Sequence, residues 1–185
     1  MRGFSKFLIF FGIICLSLAG FLYWRRVTPK RLQFDEVPKV LSGNQLSGVI
    51  EPKLLVIKDL GIKLDIYPAE IKNARWEATA KGASYLTSTP IPGEVGNSVV
   101  YGHNWKSILG NLTKARSGQI IEITYSDGST KEFRIAFTQI VTPDQTQILN
   151  ATKDRRITLY TCTGFLDTKR FVVTAFSLED QETPI

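Results

Sequence analysis

Residues Gln119–Phe137, QIIEITYSDGSTKEFRIAF, decide the fold class. Two runs rich in β-branched and aromatic residues, Gln119–Tyr125 and Lys131–Phe137, flank Ser126-Asp127-Gly128-Ser129. Asp-Gly at the centre of such a stretch signals a hairpin, because the turn that matches the twist of two strands needs residues that tolerate positive φ. Outward from this hairpin the same signature recurs. Leu54–Ile57 and Ile62–Tyr67, bounded by Gly61 and Pro68, read as strands, as do Ser98–Gly102, Ile157–Thr161 and Phe171–Phe176. Trp105–Leu112 carries apolar residues at 105, 108, 109 and 112, a helical spacing that predicts a short helix. Seven or eight short strands with little helix predict a mainly β fold, a small closed or half-closed barrel.

The amino-terminal region is of another kind. Phe7–Trp24, FLIFFGIICLSLAGFLYW, is an 18-residue run without a charge. A helix crosses the hydrocarbon core with about 20 apolar residues, within a range of about 17–25. Tyr23 and Trp24 close the run where aromatic rings favour the headgroup layer. A cleavable signal peptide has a shorter core, about 7–15 residues, ending at an A-x-A-like site. Leu18-Ala19-Gly20 matches that poorly, so 7–24 is expected to be a retained signal-anchor with residues 1–6 before it. Residues 25–52 lack periodicity and read as a linker or stalk with short helical pieces near Phe34–Leu41. The barrel is expected over 53–178, with a tail at 179–185. Arg2 and Lys6 before the run, against Arg25, Arg26, Lys30 and Arg31 after it, leave its orientation open by charge counting alone.

Charge excludes one function class. The net charge of +6 resides entirely in residues 1–31, while residues 32–185 carry 17 basic and 17 acidic residues. A nucleic-acid binder needs the basic surplus on its folded domain, so no nucleic-acid partner is expected. Of 185 residues, 43% are hydrophobic and 22% charged, which is globular composition. One histidine and two cysteines do not make a disulfide scaffold or a structural zinc site. The chain lacks a phosphate-binding glycine loop, a C-x-x-C and an H-E-x-x-H, so neither metal nor cofactor is expected.

Three side chains remain as candidates for chemistry. Cys15 sits inside the apolar run and cannot pair with Cys162, which belongs to the folded domain. Cys162 is then either a nucleophile or an inert buried thiol. His103, the only histidine, closes the strand Ser98–Gly102 and is the one residue able to exchange a proton near neutral pH. An imidazolium beside a thiol stabilises the thiolate. Arg170, after Lys169, opens the strand that follows Cys162. If the two strands are neighbours, their facing ends bring Cys162 and Arg170 together, and a guanidinium fork suits a substrate carbonyl or a developing oxyanion. The bland reading of Arg170 is a solvated strand end. Taken together, the three describe attack of a thiol on a carbonyl to give a thioester.

These residues resemble the sortase family. Thr158-Leu159-Tyr160-Thr161-Cys162 matches its TLxTC signature, Val100-Tyr101-Gly102-His103 its strand-ending histidine segment, and Arg170 in Lys169-Arg170-Phe171-Val172-Val173 its arginine after the cysteine strand. The resemblance covers roughly residues 53–178. It implies a membrane-anchored cysteine transpeptidase on a closed eight-stranded β-barrel, with the catalytic domain outside the cell membrane and the first six residues in the cytosol. Members cleave a carboxy-terminal sorting signal of the LPxTG type between Thr and Gly. They pass the acyl group to an amine of a cell-wall precursor or a pilin lysine. The implied roles are nucleophile for Cys162, acid/base for His103 and substrate or oxyanion stabiliser for Arg170, with Thr161 hydrogen-bonding the substrate. With ordinary pKa values, thiolate and imidazolium each make up about 10% near pH 7.5, so the active pair is about 1% and turnover is slow. The sequence departs from any one pattern at Tyr160, the variable position, and at Asn104-Trp105 after the histidine. An L,D-transpeptidase is disfavoured because its Cys and His lie close in sequence, whereas here His comes first by 59 positions. The non-enzymatic alternative is an anchored barrel that binds surface polypeptides, with Cys162 inert.

Overall fold

The computed structural model describes residues 2–35, 50–73 and 75–179. Helix α1, Arg2–Val27, comes first, and its segment Lys6–Trp24 is long and apolar enough to cross a membrane. The strands are β1 (Pro52–Ile57), β2 (Ile62–Ala69), β3 (Ile71–Lys72), β4 (Arg75–Trp76), β5 (Ala83–Leu86), β6 (Gly96–Gly102), β7 (Ile120–Tyr125), β8 (Thr130–Val141), β9 (Arg155–Thr163) and β10 (Lys169–Ser177). Eight of them close a barrel in the order β1-β2-β5-β6-β9-β10-β8-β7, with β7 pairing back onto β1, while β3 and β4 form a separate hairpin. The fold is the expected closed eight-stranded barrel.

Burial differs around the barrel. In β2, Ile62, Leu64 and Ile66 face in and Lys63 and Asp65 face out; in β7, Ile121, Ile123 and Tyr125 face in. Such alternation marks a sheet with one wet face. Strands β5 and β6 are buried on both faces, and β9 and β10 nearly so. Their inward residues, among them Val100, Leu159 and Val173, join the barrel core, while their outward residues Val99, Tyr101, Tyr160, Cys162 and Val172 form a second cluster. That second cluster is closed by Leu32, Phe34, Trp76 and Leu149 from outside the barrel wall. Two-sided burial is why these strands read as continuous apolar runs.

Two expectations need correcting. Trp105–Leu112 is not a helix of the predicted kind: tight turns lead into a 3-10 turn at Gly110–Lys114. The Ile108 and Gly110 amides both donate to the Trp105 carbonyl (2.9 and 2.8 Å), and the Leu109 amide donates to the His103 carbonyl (3.0 Å). A Cβ on residue 110 would lie 2.8 Å from the Trp105 carbonyl oxygen, so glycine permits the fold-back. Ile108, Leu109 and Leu112 still reach the barrel core, which satisfies the helical spacing without a regular helix. The stalk expected over 25–52 is also packed where it begins. Pro29–Leu32 makes a 3-10 turn, Gln33 is extended, and the Asp35 amide donates to the Pro143 carbonyl at 3.0 Å. Leu32 and Phe34, two residues apart in an otherwise polar stretch, turn to the same side and are buried. The helical pieces expected near Phe34–Leu41 fall mostly outside the described residues.

Candidate functional site

Strand register assembles the candidate residues. In the parallel pair β6–β9, Tyr101 is level with Tyr160 and Gly102 with Thr161; in the antiparallel pair β9–β10, Cys162 is level with Arg170. The register ends at Gly102 and Thr161; His103 follows as the first residue beyond β6, where its carbonyl accepts from the Leu109 amide, and Cys162 follows Thr161 in β9. Cys162 and Arg170 thus face each other across β9–β10, and His103 lies one residue past the end of the neighbouring strand β6; these three, here called the row, are 59 and 8 positions apart in the chain. Alternation puts Leu159 and Thr161 on the interior face, and Tyr160 and Cys162 on the outer one. All three candidates are nearly sealed from solvent: His103 is 5%, Cys162 2% and Arg170 3% exposed.

Thr161 has a different place from the other candidates. It is fully buried, and its hydroxyl donates to the Gly102 carbonyl at 2.8 Å. This bond joins the residue before His103 to the residue before Cys162, so Thr161 pins the two strand ends together and its hydroxyl is already committed.

Each remaining side chain is fixed by local structure. The His103 ring stacks on Trp105, with centroids 4.4 Å apart and planes 10° from parallel. Arg170 Nη1 donates to the carbonyls of Asp167 and Lys169, both at 3.0 Å. Its Nη2 donates to the Gln33 carbonyl at 2.7 Å, and its Nε is buried with no hydrogen-bond partner among the described residues, a spare donor in the site. The β9–β10 connection is strained, with positive φ at Gly164, Leu166 and Asp167. Such backbone persists when contacts over-determine it. Here the Asp167 carboxylate pairs with Arg31 and accepts from Asn104 Nδ2 at 2.8 Å, while its carbonyl holds Arg170.

The row is roofed by residues 31–34, here called the strap. Cys162 Sγ donates to the Arg31 carbonyl at 2.8 Å, the Tyr160 hydroxyl to the Leu32 carbonyl at 2.9 Å, and Arg170 to the Gln33 carbonyl. Three consecutive strap carbonyls therefore occupy three donors of the site. Leu32 is completely buried; Phe34 meets Tyr160 edge-on at 5.1 Å and lies under the Arg170 guanidinium at 5.8 Å. Beneath it, Tyr101 and Tyr160 stack at 5.4 Å, and Trp76 meets Tyr101 edge-on at 5.5 Å.

Electrostatics follow from this cover. Burial pushes the Cys162 thiol up to about 12, only partly offset by the Arg170 guanidinium; Asp167 raises it further and Arg31 lowers it. Burial, followed by the Arg31 charge, lowers the His103 imidazole, with Asp167 opposing. Under the strap both shifts favour the uncharged forms, thiol for Cys162 and imidazole for His103. The Arg31 carbonyl agrees with that state, since only a protonated sulfur has a hydrogen to donate. Sequence reasoning missed Arg31, Gln33, Asn104 and Asp167. The one local signal for the strap was the alternation of Leu32 and Phe34; the Arg31–Asp167 pair joins positions 136 apart and has no local signature.

Comparison with known proteins agrees with the barrel fold. The Sortase domain model matches residues 55–177. The pilus-related sortase C of Group B Streptococcus superposes with a TM-score of 0.61 at 23% identity, covering 80% of this chain and 77% of its own. Sortase A from Corynebacterium diphtheriae, a lid mutant, gives 0.59 at 22% identity with coverage of 72% and 74%. Sortase A of Listeria monocytogenes gives 0.56 at 23% identity with coverage of 69% and 86%. No curated protein matches the sequence.

Proposed function

The chain belongs to the sortase family, and on that premise we propose that it is a cysteine transpeptidase that cleaves an LPxTG-type sorting signal and transfers the acyl group to an amine. The observation that carries this reading is the pairing of Cys162 with Arg170 across β9–β10, with His103 one residue past the end of the adjacent β6. The Cys162 proton passes to His103, and the thiolate attacks the scissile carbonyl carbon. Arg170, through Nη2 and its unpartnered Nε, donates to the oxygen that gains charge. The imidazolium protonates the leaving amine as the C–N bond breaks, leaving a thioester on Cys162. An incoming amine loses its proton to His103, attacks the thioester and releases the thiol. The acceptor is an amine of a cell-wall precursor or a pilin lysine, and helix α1 holds the domain on the outer side of the cell membrane.

The strap imposes a condition. A sulfur 2% exposed and already bonded to a carbonyl cannot be reached by a peptide, so residues 31–34 leave before acylation. Their departure removes the burial that is the largest cause raising Cys162 and lowering His103, and both groups then move toward the charged pair that the chemistry needs. Cleavage of LPxTG-type peptides by the full chain tests the reading. Cys162→Ala abolishes cleavage and Cys15→Ala leaves it intact. Cleavage that survives Cys162→Ala removes the nucleophile assignment and favours the non-catalytic binder.

A further inference from the structure

The two stacked tyrosines of the outer face spend their hydroxyls differently. Tyr101 donates to the Glu77 carbonyl, beside strand β4 and outside the strap. Tyr160 is fully buried and its hydroxyl donates to the Leu32 carbonyl, which belongs to the strap. Tyr160 faces the same side of β9 as Cys162, two residues away. Once residues 31–34 withdraw, this hydroxyl lies open among Trp76, Tyr101 and Val172 with water as its acceptor. A peptide laid along the row offers a carbonyl where the strap's carbonyl had been, so burying this hydroxyl under a peptide without that partner is costly and meeting it is favourable.

We infer that Tyr160 is a substrate-binding residue of the transpeptidase, donating its hydroxyl to a backbone carbonyl of the acyl-donor peptide once the strap has left. The inference rests on the reading above and extends it to the position of the TLxTC pattern that varies. Tyr160 recognises main chain, so it tightens binding for any peptide of this class without selecting a side chain. It does not touch the reacting bond, so its contribution falls on KM.

The strap also uses this hydroxyl, so the test is done where the strap is already expelled. Leu32→Asp in the full chain forces a carboxylate against an apolar floor and displaces the segment; fast alkylation of Cys162 verifies that it has opened. In that background, adding Tyr160→Phe is expected to raise KM for an LPxTG-type peptide about tenfold, the worth of one hydrogen bond, with kcat within about twofold. The alkylation rate and melting temperature stay as in the background. A second measurement locates the acceptor. Peptides with single amide carbonyls reduced to methylene lose affinity at one position in the Tyr160 protein, and that loss disappears in the Tyr160→Phe variant. Unchanged KM together with an identical carbonyl profile in both proteins overturns the inference while leaving the transpeptidase reading intact. A background that alkylates readily but turns over no peptide overturns both.

Discussion

The barrel interior and the groove over β6, β9 and β10 are equally dry, but they are closed by different means. The interior is filled by side chains of the barrel strands themselves, such as Leu55, Ile123, Phe133 and Leu159, with Ile108, Leu109 and Leu112 plugging one end. The groove is closed by Leu32 and Phe34, which follow helix α1 and precede the barrel in the chain. Removing the interior filling destroys the fold, whereas removing the groove's cover exposes polar donors. In the proposed reading a peptide takes the strap's place, since three of the strap's contacts are made through backbone carbonyls, a chemistry that every peptide shares.

The largest expected effect concerns what the groove hides. Arg170→Lys keeps the charge but loses the fork, and peptide cleavage falls about 100- to 1,000-fold, the usual worth of an oxyanion donor. Steady-state kinetics check this, and a loss under tenfold would show that charge alone suffices. Next, Leu32→Asp raises the alkylation rate of Cys162 about a hundredfold, since a buried unpaired carboxylate costs several kcal/mol and each 1.4 kcal/mol is about a factor of ten. A hundredfold opening corresponds to about 2.7 kcal/mol, which chemical denaturation should register as lost strap docking, while Leu159→Ala in the interior lowers stability by about 2–5 kcal/mol and leaves Cys162 covered. Equal acceleration of Cys162 alkylation by both would erase the distinction between cover and core.

Smaller effects sharpen the same contrast. Alkylation needs thiolate, and burial pushes Cys162 up to about 12, so the parent's rate should climb through pH 10 without levelling. In Leu32→Asp the curve should level at lower pH, because the cause that raises the thiol has gone. A shared midpoint would mean that the strap does not set the thiol's state. Asp167→Asn, which weakens the hold on Arg31, should raise alkylation by a few-fold. Lys169→Ala, at the exposed start of β10, should change cleavage by less than about twofold; a loss like that of Arg170→Lys would mean that the wrong member of the pair was chosen.

This contrast also explains what the sequence revealed. The hairpin around Asp127-Gly128 and the strands from Leu54 to Phe176 were legible because alternation and turn chemistry are local. Strand β5, Ala83–Leu86, was not: four residues buried on both faces have no alternation to read. Cys162, His103 and Arg170 stood out by residue type at strand ends. The strap was read as a linker because its contacts lie far along the chain: Arg31 reaches Cys162 across 131 positions and Gln33 reaches Arg170 across 137. The committed hydroxyl of Thr161 and the strap-facing one of Tyr160 depend on which strands become neighbours, and a single strand does not announce that.

Intact-mass spectrometry of the membrane-reconstituted full chain, acid-quenched during incubation with an LPxTG-type peptide and no amine acceptor, tests the central claim most directly. The account predicts an acyl adduct that maps to Cys162, is released by hydroxylamine and accumulates faster in Leu32→Asp. A protein that cleaves the peptide with no adduct on Cys162, or an adduct formed equally fast whether or not the strap is seated, would contradict it.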